Sequence, residues 1–116
     1  RQALNLGHTK IRDDGLAHLA GLMYLEELNL RSTHTTPDSF EHLTGLGSLR
    51  LLHNDVGYLM TDEHLDQLGQ LRNLEEIKCV SNLITDRGLM NLKELKQLKK
   101  VEVGGERILP DWLAQH

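Results

Sequence analysis

Aromatic side chains are nearly missing from this 116-residue chain: Phe40, Trp112, Tyr24 and Tyr58 are all it has. Cysteine occurs once, at Cys79. That excludes an internal disulfide framework and leans toward a reducing, cytoplasmic compartment. No apolar run is long enough to span a bilayer. No basic segment followed by an apolar stretch reads as a signal peptide. Charge of one sign is not dominant either. Thirteen Lys and Arg stand against 17 Asp and Glu, a formal net charge of -4, which argues against a surface that tracks phosphates. Serine is scarce, and Ser32, Ser39, Ser48 and Ser81 lie outside any nucleophile motif. Gly104-Gly105 reads as a turn after a strand and not as a phosphate loop.

Leucine is what the chain has in quantity: 25 of 116 residues. A core made from one repeated side-chain shape points to iterated packing. Place Leu4-Asn5-Leu6 under Leu28-Asn29-Leu30 and the chain falls into register. The next copies are Leu52-His53-Asn54, Ile77-Lys78-Cys79 and Val101-Glu102-Val103. Their last residues stand at 6, 30, 54, 79 and 103, so the period is 24 or 25 residues. Other columns repeat in step: Leu16, Phe40, Leu65, Leu89 and Leu113; Leu19, Leu43, Leu68 and Leu92; Leu22, Leu46, Leu71 and Leu95; Leu25, Leu49, Leu74 and Leu98. In the column Ile11, Thr35, Met60, Ile84 and Ile108, Thr35 is the polar member.

Each period contains two rhythms. Leu28-Asn29-Leu30 alternates as a short strand does. Gly88-Leu89-Met90-Asn91-Leu92-Lys93-Glu94-Leu95 sets leucines three apart, which predicts one face of a helix. Asp13-Asp14, Thr61-Asp62 and Thr85-Asp86 are expected to cap those helices with side-chain oxygens, and Pro37 and Pro110 fit first helical positions.

The pattern LxxLxLxxxxIxDxGLxxLxxL resembles a leucine-rich repeat. Ile11-Arg12-Asp13-Asp14-Gly15-Leu16 and Ile84-Thr85-Asp86-Arg87-Gly88-Leu89 resemble the segment of the cysteine-containing, F-box-protein-like subclass, which bacterial arrays share. The column where that subclass prefers cysteine or asparagine reads Thr9, Thr33, Gly57 and Asn82, of which Asn82 conforms. No F-box segment is present, so a ubiquitin-ligase role does not carry over.

The resemblance implies an α/β fold over residues 1–116. It would be a single domain, a right-handed solenoid of about 4.5 repeats with a parallel sheet on the concave face and helices on the convex face. Arg1 stands where a start methionine would, so the array is expected to belong to a longer chain whose repeats cover the first leucines. Trp112, in the half repeat Ile108-Leu109-Pro110-Asp111-Trp112-Leu113, is expected to act as a lid on the last leucine layer.

Alternation then places three outward rows on the sheet. The first is Ala3, Glu27, Leu51, Glu76 and Lys100; the second is Asn5, Asn29, His53, Lys78 and Glu102; the third is Gly7, Arg31, Asp55, Val80 and Gly104. The expected function is a protein-protein interaction scaffold, and the alternative is a structural spacer or self-association module of a larger protein. The partner-binding residues would be Glu27, Asn29, Arg31, Leu51, His53, Asp55, Tyr58, Glu76, Lys78, Val80, Lys100 and Glu102. Arg31 is the best anchor by residue type, and Leu51 and Val80 are the outward apolar candidates. The third period breaks the pattern: Asn54 takes an inward place, and 55–60 carries one extra residue. Asn54 should therefore bond the widened loop, or its strand should shift. This irregularity makes His53, Asp55 and Tyr58, with Arg31 and His34, a candidate partner-sensitive locus.

Chemistry is not expected. Seven histidines are present, but no pair has the helical spacing of a zinc enzyme, and His18 and His42 supply two ligands at most. Cys79 falls in an inward column, as a small hydrophobe does. The reading is of a monomer that needs no cofactor, no metal and no catalytic residue, and that binds a protein and neither nucleic acid nor membrane.

Overall fold

A computed structural model describes residues 2–54, 60–79, 84–103 and 106–108, and the following observations concern those residues. The fold is α/β. Five strands lie side by side in chain order and all parallel: β1 (Gln2–Asn5), β2 (Leu25–Asn29), β3 (Leu51–Asn54), β4 (Glu76–Cys79) and β5 (Lys100–Val103). Pairing follows the sequence register, with Glu27 opposite Leu51, Leu51 opposite Glu76, and Glu76 opposite Lys100. Asn54 pairs in register with Cys79, so its strand is not shifted. Its side chain is fully buried. The loop expected to receive it lies outside the described residues.

A sixth strand, β6 (Glu106–Ile108), departs from the expected pattern. It pairs antiparallel with β5, Val101 opposite Ile108 and Val103 opposite Glu106. Ile108 was expected to open another crossover. The two residues between these strands are Gly104-Gly105, the composition that two-residue hairpin connections favour. Trp112 and the rest of 109–116 lie outside the described residues.

The crossovers are helical but shorter and tighter than expected. α1 (Asp13–Leu16) runs into a 3-10 turn at Ala17–Leu19, and Pro37–His42 is 3-10 throughout. α2 (Asp62–Leu68) is the longest helix, and α3 (Asp86–Leu89) continues as 3-10 over Met90–Glu94. The reason lies in the leucine spacing. A strict period of three matches three residues per turn, not 3.6. The backbone closes accordingly, leucine to leucine. Leu43 N donates to Phe40 O at 3.0 Å, Leu46 N to Leu43 O at 2.9 Å, and Leu49 N to Leu46 O at 3.1 Å. Leu71 and Leu74, and Leu95 and Leu98, repeat the arrangement.

The inward strand residues Leu28, Leu52, Ile77 and Val101 meet these leucines in one core on the helix side of the sheet. The opposite face carries the outward rows. The first period is less well covered. Leu4, Leu6, Ile11 and Leu19 are half-buried, and Leu22 is 44% exposed where its column-mate Leu46 is fully buried. The inward place assigned to Leu22 is therefore corrected. Among the described residues no element stacks on its outer side.

The aspartates expected as caps do different work. Asp13 and Asp62 sit at the first helical positions, but their carboxylates accept from the next crossover. Thr36 N donates to Asp13 Oδ1 at 2.6 Å, and Thr85 N to Asp62 Oδ1 at 2.9 Å; the two threonine hydroxyls donate to the second oxygens. Each carboxylate thus satisfies the first amide of a neighbouring helix start. Room for it comes from a small residue: a Cβ on Gly88 would lie 2.1 Å from Asp62 Oδ1. The second crossover has Pro37 at the carboxylate position. Opposite it the chain carries His64 instead of a small residue, and the imidazole reaches back to Asp38 (Nε2 to Oδ1 2.8 Å) while Nδ1 accepts from Thr61 N at 2.9 Å. Phe40 meets that ring edge-on, with centroids 6.3 Å apart.

Candidate functional site

The strand exits explain part of the outward face. Asn5 Oδ1 accepts from Gly7 N, and Asn29 Oδ1 from Arg31 N, both at 2.9 Å. Four residues beyond each asparagine come hydroxyls that close the turn, Thr9 to Leu6 O at 2.6 Å and Thr33 to Leu30 O at 2.8 Å. Between them His8 and Ser32 take the left-handed backbone, at φ 62° and 56°. Asn29, read from sequence as a binding residue, therefore commits its carbonyl oxygen to the turn. The third period has His53 at that position, with no side-chain amide.

Pairing brings the first two outward rows together as expected. Glu27, Asn29, Leu51, His53, Glu76, Lys78, Lys100 and Glu102 are all half-buried on the open face, and Arg31 is exposed at the exit of β2. Asp55, Tyr58 and Val80 lie outside the described residues, and so does the expected locus around Asp55 and Tyr58.

The two halves of the face differ in charge. Over β4 and β5 the groups pair with one another: Glu76 with Lys100 at 3.3 Å and Lys78 with Glu102 at 3.7 Å. His53 Nε2 stands 3.5 Å from Glu76 Oε2. One residue before the first outward row runs a ladder that was not among the expected binding residues. Arg50 donates to Glu75 and, at 3.3 Å, to Glu26, and Lys99 lies 3.4 Å from Glu75. The Arg50 hydrogen bond, helped by Lys99, holds the Glu75 carboxyl below its ordinary range, and the same bond raises the Arg50 guanidinium. Alternating sign at the repeat spacing in Glu26, Arg50, Glu75 and Lys99 was the available signal.

Over β1–β3 the first two rows contain a carboxylate, Glu27, and no lysine or arginine. Here the surface sinks into a depression of ≈ 190 Å³ lined by Ala3, Leu4, Asn5, Glu27, Leu28, Asn29, Leu51 and His53. Ala3 opens it by being small beside Glu27, with Leu51 on the far side in the same row. Ala3 and Asn5 stood in the outward rows but not among the expected binding residues.

Among the described residues, the outward rows contain no serine, threonine or cysteine. On the helix side, Thr61, His64 and Asp38 do line up hydroxyl, imidazole and carboxylate, with Thr61 Oγ1 3.2 Å from His64 Nδ1. That nitrogen already accepts from the Thr61 amide, which places the ring proton on Nε2 facing Asp38. The base position is thereby filled, and the arrangement closes a helix start. Among the described residues no three His, Cys, Asp or Glu side chains gather as a metal would require, and no helix is long and apolar enough to cross a membrane. Compared with protein-family models and with curated proteins, the chain has no match in either.

Proposed function

We propose that the chain is a leucine-rich-repeat solenoid that works as a protein-binding scaffold, with the outward face of its sheet as the recognition surface. The observation that carries this reading is the registered row. Ala3, Glu27, Leu51, Glu76 and Lys100 lie opposite one another across five strands, and Asn5, Asn29, His53, Lys78 and Glu102 do the same. A leucine core fixes the frame, so the intervening positions are free to vary in chemistry without altering it. The mechanism is placement of side chains, with no reaction. A stable interface engages roughly 20–30 residues on each side, so the strand exits around Arg31 belong to the surface as well.

The test compares proteins captured by the wild type, by Leu51→Glu with His53→Glu, and by Glu63→Lys on the helix side, each checked for folding by circular dichroism. A partner held by the wild type and the helix-side variant, and lost by the sheet variant, is the expected result. A partner retained by the sheet variant overturns the assignment of the face.

A second reading has its own observation. Leu22, Met23 and Tyr24 are 44%, 62% and 77% exposed beside the half-buried first leucines. An apolar flank of this kind suits self-association or a spacer within a stacked array. Light scattering across a concentration series separates the two: a constant monomer mass supports the scaffold, and a rising mass supports self-association.

A further inference from the structure

We propose that the open flank of the first period docks an extended segment of a partner protein, which adds a parallel strand to β1, covers Leu22 and Tyr24 with apolar residues and brings a carboxylate to Arg12. This goes beyond the outward face but rests on the reading of the chain as a protein-binding scaffold. The backbone makes the first selection. Leu6 and His8 donate their amides to Asn29 and Arg31. Strand alternation therefore turns the amides and carbonyls of Ala3 and Asn5 to the open side of β1. Sheets commonly guard such an edge with charge. At the other end, β6 carries Glu106 and Arg107 in its three residues, whereas β1, Gln2-Ala3-Leu4-Asn5, carries no charge. Strand addition uses an edge of this kind: main-chain bonds hold the segment and side chains select it.

Side chains make the second selection, because the flank is polarised along the strand direction. At the entry Leu22, Met23 and Tyr24 are exposed beside the half-buried Leu4 and Leu19. At the exit His8, Lys10 and Arg12 are exposed, and residues 6–12 contain no carboxylate. Of the two carboxylates that follow, Asp13 is held by Thr36 and Asp14 is exposed. Contacts inside the molecule continue the argument. Asp13 crosses to Thr36, and Asp62 crosses to Thr85 beside Gly88. Arg12 stands in the column of those threonines, and Gly15 in the column of Gly88. A Cβ on Gly88 would meet Asp62, whereas one on Gly15 would meet Ile11 of its own period and no neighbouring one. An incoming carboxylate extends the series by one step. Parallel pairing, as in β1 to β5, sets the carboxyl-terminal side of the segment at this basic exit. A second copy lacks the complement. Two-fold pairing of β1 with itself would lay the exit of one copy on the entry of the other, and residues 17–25 contain no acidic side chain.

The experiment is an amide-resolved NMR titration of the whole chain with short capped peptides of alternating valine and threonine that end, at the carboxyl side, in paired glutamates, glutamines or lysines. The expected result is saturable shifts at Ala3, Asn5 and Arg12 with the glutamate peptide, slowed hydrogen exchange at Ala3 and Asn5, and binding about fivefold weaker for the glutamine peptide, the scale of a partly solvated ion pair. Lys10→Gln with Arg12→Gln should erase that difference. Leu22→Ser with Tyr24→Ser should weaken all the peptides about tenfold, the scale of one partly buried apolar side chain. Equal affinity for the glutamate and lysine peptides overturns the proposal, as does the absence of shifts at β1 up to the solubility limit. Protection of Ala3 and Asn5 that grows with protein concentration and needs no peptide assigns the edge to a second copy and overturns it too. If the peptides fail while the Leu51 and His53 variant still loses its captured partner, the flank site falls and the scaffold reading stands.

Discussion

Gly88 and Asp62 show how closely single positions depend on one another in this chain. The carboxylate lies where a Gly88 side chain would begin, 2.1 Å from the place of its Cβ. Gly88→Ala should displace Asp62 from Thr85 and destabilise by about 1–3 kcal/mol, read from urea unfolding. Gly21→Ala, where an added Cβ meets nothing within 4 Å, is the matched control and should be neutral or slightly stabilising. Thr33 and Thr35 form a second dependent pair. Both are buried, and their hydroxyls lie 2.7 Å apart while Thr33 also donates to Leu30 O. Thr33→Val should cost about 1–3 kcal/mol by stranding the Thr35 hydroxyl. Thr33→Val with Thr35→Val should cost less than the two single changes added together, a coupling that a double-mutant cycle measures.

Helix starts and strand exits are where elements are joined. Asp62 is held below the ordinary carboxylate range, first by the Thr85 hydroxyl, with the Thr85 amide and Arg87 adding to it against the cost of burial. Glu75 is depressed likewise by Arg50 and Lys99. For both groups the folded state takes up its proton at lower pH than the unfolded chain. The stabilisation is therefore complete above the ordinary carboxylate values, near 4, and is lost as pH falls through the depressed ones. Asp62→Asn should accordingly lower the urea midpoint at neutral pH and flatten its decline in acid. A variant whose acid limb matches the wild type would show that the tie to Thr85 contributes nothing. At the exit of β2, Asn29→Ala should speed hydrogen exchange at the Arg31 amide, whereas Asn29→Asp, which keeps the acceptor, should preserve its protection.

Across the whole molecule, stability should rise from the open flank toward the interior. Leu22 and Leu46 occupy the same column, yet one is 44% exposed and the other fully buried. Leu46→Ala should cost about 2–5 kcal/mol and Leu22→Ala under about 1 kcal/mol, in thermal or urea unfolding. Equal costs would contradict the exposed flank. The period of 24 or 25 residues foretold the strand order and register, because equivalent leucines can share one core only if their strands align. The exposure of Leu22 was not legible, since a column records what a position suits and not whether a neighbour is there to cover it. Nor was the antiparallel return of β6, which is a pairing across the sheet and not a periodicity along the chain.

The leucine, isoleucine and valine columns by themselves determined the parallel order and the inward and outward faces. Those features follow from local repeat and from burial, and both are written along the chain. Tertiary structure decided what the intervening polar residues do. Asp13 and Asp62 turned from caps of their own helices into partners of the next helix start, and His64 with Asp38 took that place where Pro37 has no carboxylate. Ala3, Glu27 and Leu51 became the walls of one depression. Hydrogen bonds and ion pairs form between groups 23 to 26 residues apart that only stacking brings within reach, and short-range pattern holds no record of such distances.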